Sequence, residues 1–247
     1  PLPYGRQDIS EEDIAAVTAV LRSDRVTQGP AIDQFEKDVA NVCNARFAIA
    51  VNSGTAALHI GVMALGLGPG KRLWTSPNSF VASSNCGLYC GAAVDFVDID
   101  PVDGNMSVQK LEQKLVEAEK KRELPDVVVP VHFAGHSCDM DKIRALAKRY
   151  GFKILEDASH AIGARFGDKP IGDGESELTA FSFHPVKIVT TGEGGLLTTN
   201  SEALYKRLLR LRSHGITRDH DEMPEPSGPW SYAQLDLGFN YRITDFQ

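Results

Sequence analysis

An α/β fold, a mostly parallel sheet with helices on both faces, is what this sequence predicts. Short apolar runs of strand length alternate with stretches whose apolar residues recur at helical spacing. One run, Asp126-Val-Val-Val-Pro-Val131, is apolar enough for burial on both sides, as a central parallel strand requires. A chain of 247 residues, 42% of them hydrophobic, can also bury a sizeable core.

Taken in order, Ser10-Glu-Glu-Asp13 reads as an N-cap with an acidic first turn, and Ile14, Val17 and Leu21 share one helical face. This helix ends near Arg22. A polar loop with two breakers, residues 23–30, leads to a helix bearing Ile32, Phe35 and Val39 on one side; both helices are expected at the periphery. From Phe47 the pattern becomes strand, loop, helix. Strands are expected at 47–51, 72–75, 93–97, 126–131, 153–157, 178–183 and 195–199. Helices are expected at 56–65, 81–89, 107–121, 139–150 and from Ser201, where Leu204, Leu208 and Leu211 face inward. In such sheets ligands bind beyond the carboxyl ends of the strands. That rule selects three loops: 52–55, 157–160 and 182–195.

With 33 Asp and Glu against 26 Lys and Arg, the net charge of −7 argues against nucleic acid or an anionic membrane as the main partner. No run approaches the ~18 apolar residues of a membrane span, and no basic-then-apolar leader opens the sequence, so a cytoplasmic location is expected. Cys43, Cys86, Cys90 and Cys138 form no Cys-x-x-Cys pair and are expected to be reduced and structural.

Lys187 lies in Phe181-Ser-Phe-His-Pro-Val-Lys187, just before the glycine-rich turn Gly192-Glu-Gly-Gly195. It is either a solvated surface lysine or an amine that desolvation turns into a nucleophile. Ser53-Gly-Thr55, at a strand-to-helix junction, is either an ordinary N-cap or an anion site built from free N–H groups and a hydroxyl. Asp157 ends an apolar strand, where a carboxylate needs a cationic partner: a metal, an arginine or a protonated pyridine ring. Gly66-Leu-Gly-Pro-Gly70 follows a helix and reads as a stop and turn, without the P-loop hydroxyl after its lysine. His132 and His136 fall on a loop, where i,i+4 chelation geometry does not apply, so no metal site is expected. One ligand satisfies lysine, aspartate and anion turn together. It is pyridoxal phosphate, with its aldehyde on Lys187, its ring nitrogen on Asp157 and its phosphate at Gly54 and Thr55.

Val51-Asn-Ser-Gly-Thr-Ala-Ala-Leu-His, Thr75-Ser-Pro-Asn-Ser-Phe80-Val-Ala-Ser-Ser-Asn, Val94-Asp-Phe-Val-Asp-Ile-Asp100, Val131-His-Phe-Ala-Gly, Glu156-Asp-Ala-Ser-His160-Ala-Ile-Gly, Phe181-Ser-Phe-His-Pro-Val-Lys187 and Asn240-Tyr-Arg occur in this order. In these motifs the chain resembles the nucleotide-sugar aminotransferases of the DegT/DnrJ/EryC1/StrS family, fold-type I pyridoxal-phosphate enzymes. The resemblance implies that Lys187 bonds to the cofactor and moves the proton, with Asp157 on the ring nitrogen. It implies too that Phe80 stacks on the ring, that His160 lies near its phenolic oxygen, and that Gly54, Thr55 and Ser182 hold the phosphate, joined by Asn240 from a second subunit of a homodimer. Tyr4 and the loop Asp24, Arg25, Val26 and Thr27 would meet the sugar nucleotide.

Residues 1–30 would then be an N-terminal segment and substrate loop, and 31–247 the cofactor-binding large domain, with a smaller C-terminal domain beyond this chain. Within the family, the sequences around Tyr4, 23–30 and 212–218 look most like members acting in pseudaminic acid synthesis. These aminate C4 of a UDP-linked 4-keto-6-deoxy-N-acetylhexosamine, with L-glutamate as donor and 2-oxoglutarate as product. Another nucleotide-linked ketosugar, or a non-catalytic regulatory homologue, is the alternative. The family's dehydratases carry histidine at the position of Lys187, which argues against them.

Overall fold

The computed structural model describes residues 5–219, 221–223, 228 and 230–247. Tyr4, expected at the sugar nucleotide, lies outside the described residues. Helix α1 (Glu11–Leu21) opens on a capping box: Ser10 Oγ accepts the Asp13 N–H, and the Asp13 carboxylate accepts the Ser10 N–H at 2.8 Å. None of its residues is buried, and Ile14, Val17 and Leu21 are exposed. Helix α2 (Pro30–Cys43) overturns the expectation that it too is peripheral, for Ile32, Val39, Ala40 and Cys43 pack against Ala48, Ala50, Phe181 and Leu196. Its N-cap residue is glycine and cannot cap, so the cap comes from far away. The Asp245 carboxylate accepts the N–H groups of Gly29 at 2.9 Å and Ala31 at 3.2 Å.

The α/β alternation follows: β1 (Phe47–Val51), α3 (Gly54–Ala64), β2 (Arg72–Thr75), α4 (Ala82–Tyr89), β3 (Ala93–Phe96), α5 (Val108–Lys121), β4 (Val127–Val129), α6 (Met140–Tyr150) and β5 (Lys153–Asp157). A two-residue hairpin, β6 (Arg165–Phe166) with β7 (Lys169–Pro170), precedes β8 (Leu178–Ser182) and β9 (Gly195–Thr199). Helix α7 (Glu202–Arg212) and the small pair β10 (Ile216–Thr217) and β11 (Ala233–Gln234) complete the order.

Seven strands form one sheet in the order β1-β9-β8-β5-β4-β2-β3. β9 alone runs opposite to the other six strands. The cause is its connection: parallel pairing needs a crossover, usually helical, and residues 183–194 return from β8 without a helix. Strand alternation divides the core between the two faces. Val127, Val129 and Leu155 pack with α3 and α4, whereas Val128 and Ile154 pack with α5 and α6. At the β3 edge, Ala93 and Phe96 stay exposed, so cover on both faces stops one strand short of the expectation. The carboxyl ends of β1, β5 and β8 open on the same side of the sheet, together with the first residue of β9.

Candidate active site

Beyond β1, Ser53 is fully extended (φ −166°, ψ 157°) and caps α3, its hydroxyl accepting the Ala56 N–H at 3.0 Å. The helical ladder begins with Ala57 N–H on the Ser53 carbonyl, so the N–H groups of Gly54 and Thr55 stand ahead of it. The N-cap and anion-turn readings of this motif are therefore compatible. Glycine is required on both sides of the turn. A Cβ on Gly54 would lie 2.9 Å from Ser182 Cβ, and one on Gly195 would collide with the Ser53 carbonyl. Ser182, at the end of β8, is thereby brought against the first turn of α3.

Asp157, 4% exposed, carries three donor contacts on its two oxygens. The Ser159 N–H (3.1 Å) and hydroxyl (2.6 Å) both meet Oδ1, and the Ser83 hydroxyl meets Oδ2 at 2.6 Å. Ser83 in turn lies 2.6 Å from the Ser79 hydroxyl. All these donors are neutral, so they bring no countercharge, and Oδ2, with a single donor, keeps an open acceptor position.

Lys187 follows β8 in an irregular segment, with its Nζ 2.7 Å from His160 Nε2. Burial lowers the Lys187 pKa, and attraction to Asp157 only partly restores it. His160 is also lowered, first by burial and then by the Lys187 charge. A neutral His160 accepts from Lys187, and the amine is held ready to lose its proton. On its other side Lys187 borders an open groove of about 890 Å³ between α1, residues 188–192 and residues 245–247.

Phe80 is 74% exposed on the loop before α4. Asp24, Arg25, Val26 and Thr27 are exposed as well, and their loop is tied to the end of the chain: Thr27 bridges Thr244 and the Val26 carbonyl accepts the Asp245 N–H. The Asn240 carbonyl accepts from Asn52 Nδ2 at 3.4 Å, beside the anion turn. His132 is fully buried with both ring nitrogens engaged: the Cys138 N–H meets Nδ1 at 3.1 Å, and Nε2 lies 2.8 Å from Glu156 Oε2. A carboxylate only accepts, so Nε2 carries a proton and donates it to Glu156. Among the described residues, no three His, Cys, Asp or Glu side chains are grouped to hold a metal. Asp245 was missed from sequence, and Ser79, Ser83 and Ser159, all inside motifs that carry the resemblance, had no role.

The donor set fits pyridoxal phosphate: free N–H groups and hydroxyls for a phosphate, a buried carboxylate with acceptor capacity for a ring N–H, and a partly desolvated amine for an aldehyde. Sheet order, its one reversed strand and this cluster at the carboxyl edge define the large domain of a fold-type I transferase. The chain belongs to the DegT/DnrJ/EryC1/StrS aminotransferase family, whose model matches residues 7–247. It is 38% identical over 244 residues to a UDP-4-amino-4,6-dideoxy-N-acetyl-beta-L-altrosamine transaminase of Campylobacter jejuni, covering 99% of this chain and 61% of the relative. Helicobacter pylori PseC, an aminotransferase involved in the biosynthesis of pseudoaminic acid, superposes with a TM-score of 0.87 at 29% identity, over 99% of this chain and 62% of that one. A Streptococcus pneumoniae protein provisionally named a sugar aminotransferase matches in its PLP-form, with a TM-score of 0.84 at 28% identity over 99% and 64%. The chain thus spans about three fifths of the length of these proteins.

Proposed function

We propose that this chain is the cofactor-binding large domain of a pyridoxal-phosphate aminotransferase that moves the amino group of L-glutamate to C4 of a UDP-linked 4-keto-6-deoxy-N-acetylhexosamine. The observation that carries the reading is the cluster of Lys187, His160 and Asp157 beside the open turn at Gly54 and Thr55. When bound, the cofactor supplies an aldehyde that carries the amino group and a ring that accepts the electron pair left when a neighbouring C–H bond breaks. Asp157 keeps the ring nitrogen protonated. Gly54, Thr55 and Ser182 would take the phosphate, joined by Asn240 of a second copy, and Phe80 would cover the ring. Lys187 would hold the aldehyde end of the group, and its Nζ would take and return the proton of the reacting C–H bond. Its lowered pKa leaves more of the amine neutral at a given pH, and His160 orients it.

The loop 24–27 and Tyr4 bind the sugar nucleotide, with Arg25 on the diphosphate. Residues 1–30 serve as this substrate segment and 31–247 as the cofactor domain of a cytoplasmic homodimer. No described helix is long and apolar enough to cross a membrane. Similarity to the altrosamine transaminase favours the UDP sugar; at 38% identity, a different nucleotide-linked ketosugar is the competing reading.

The test incubates the whole protein with glutamate and a panel of keto sugar nucleotides and follows 2-oxoglutarate. Turnover with UDP-4-keto sugars supports the assignment. Turnover only with another nucleotide's sugar shifts it, and no turnover with any of them rejects it. Borohydride treatment of the cofactor-loaded protein should fix the label on Lys187 and leave Lys187→Ala unlabelled.

A further inference from the structure

Asp157 has two oxygens, and the fold treats them unequally. Oδ1 receives two donors from Ser159, its backbone N–H and its hydroxyl. Oδ2 receives one, the Ser83 hydroxyl at 2.6 Å. Ser83 is 1% exposed on the first turn of α4, 74 residues away in sequence and tied by its own N–H to the Phe80 carbonyl. A carboxylate only accepts, so the single Ser83 proton goes to Oδ2. The contact between Ser79 and Ser83 must then run from Ser79 to Ser83. The result is a directed chain of two hydroxyls ending on the oxygen with the fewer donors.

We infer that Ser83 is a positioning residue: with Ser79 behind it, it fixes Asp157 so that Oδ2 is the oxygen left to accept the ring N–H of the cofactor. This rests on the reading that Asp157 meets that nitrogen. Ser159 fills Oδ1 but, acting on one oxygen only, leaves the carboxylate plane free to turn about the Cβ–Cγ bond. Ser83 removes that freedom and polarises the acceptor from the side of α4. The same hydroxyl chain joins Asp157 to the loop that carries Phe80.

The test compares Ser83→Ala, Ser83→Thr and Asp157→Asn in the whole protein. The readouts are the pyridoxal phosphate Kd, from absorbance titration of the cofactor-free protein, and the rate of the half-reaction with glutamate. Ser83→Ala should weaken cofactor binding and slow the half-reaction by about tenfold each, with KM for glutamate within about twofold, because Ser83 meets Asp157 and not the donor. Ser83→Thr, which keeps the hydroxyl, should stay within about threefold of the parent in both. Equal losses in the Ala and Thr variants would show that packing, and not the hydroxyl, matters, and would overturn the inference. So would a Ser83→Ala protein with the parent's Kd and rate while Asp157→Asn is impaired. An unimpaired Asp157→Asn would instead reject the cofactor reading itself. Should Ser83→Ala fail to fold, half-buried Ser79→Ala decides: a slower half-reaction supports the chain of hydroxyls, and an unchanged one overturns it.

Discussion

Glu156 and Asp157 are neighbours on β5, equally buried, and point to opposite faces of the sheet, yet their surroundings differ in kind. Glu156 is satisfied by its own chain: His132 and Ser176 donate to it, and the Arg144 guanidinium lies 3.9 Å away. Burial pushes its carboxyl up, but the hydrogen bond and charge of His132, then Ser176 and the Arg144 charge, take it below the ordinary carboxylate range. Asp157 is met only by neutral hydroxyls and one N–H, with a partly desolvated amine nearby. A buried carboxylate whose countercharge comes from the fold is structural. One held by neutral donors is set to receive a cation from outside.

The largest effects should separate these two residues. Asp157→Asn keeps the shape and should cost turnover about a thousandfold, with stability changed by about 1 kcal/mol or less. Glu156→Gln should do the reverse: a loss of about 2 kcal/mol in urea unfolding, with turnover per folded molecule within about threefold. The sign with pH follows from the depressed Glu156 pKa. Its stabilisation is present above the unfolded value of 4.5 and is lost as pH falls through the folded value, so parent and variant should converge in acid. If Glu156→Gln abolished turnover in a protein that melted normally, the division between the two faces would break.

Asp245 sharpens the contrast as a third carboxylate, 8% exposed and engaged with backbone N–H groups of residues more than 200 positions away. Asp245→Ala should cost about 1 kcal/mol as a lost helix cap. Asp245→Asn, which still accepts, should recover most of it, as read by thermal melting. Equal losses from both would place the effect in charge rather than capping.

What could be read from the sequence follows the same line between local and distant causes. The β/α alternation, the caps at Ser10, Ser53, Asp139 and Ser201, and the strand-end placing of Asp157 are written in adjacent residues. Lys187 gained meaning only from Asp157 and the turn at Gly54, and the structure sets it against His160. Ser83 lies inside a motif of the resemblance but had no role there, since a serine on a helix of small residues looks like any other until the fold brings β5 against it. The burial of α2 escaped for a related reason: Gly29 shows no cap, and the capping carboxylate sits at position 245. For His132 the sequence argued against a metal but named no partner, because Glu156 is 24 residues on.

The smallest expected effect bears on Lys187 without its cofactor. Burial holds its folded pKa below the unfolded value of 10.5, so the unfolded chain binds more protons between the two values, and stability rises with pH across that window. A charged Lys187 is therefore a cost of folding at neutral pH. Lys187→Met removes the cost and keeps an apolar stem of similar length. The cofactor-free variant should melt about 2 °C above the parent near pH 7, a margin that narrows to nothing as pH rises towards 10.5. Glu156 offers no such gain, because its charge is already matched. A Lys187→Met protein that melts below the parent at pH 7 would mean the ammonium is at ease against Asp157. The two carboxylates of β5 would then be alike after all, each paired within the chain.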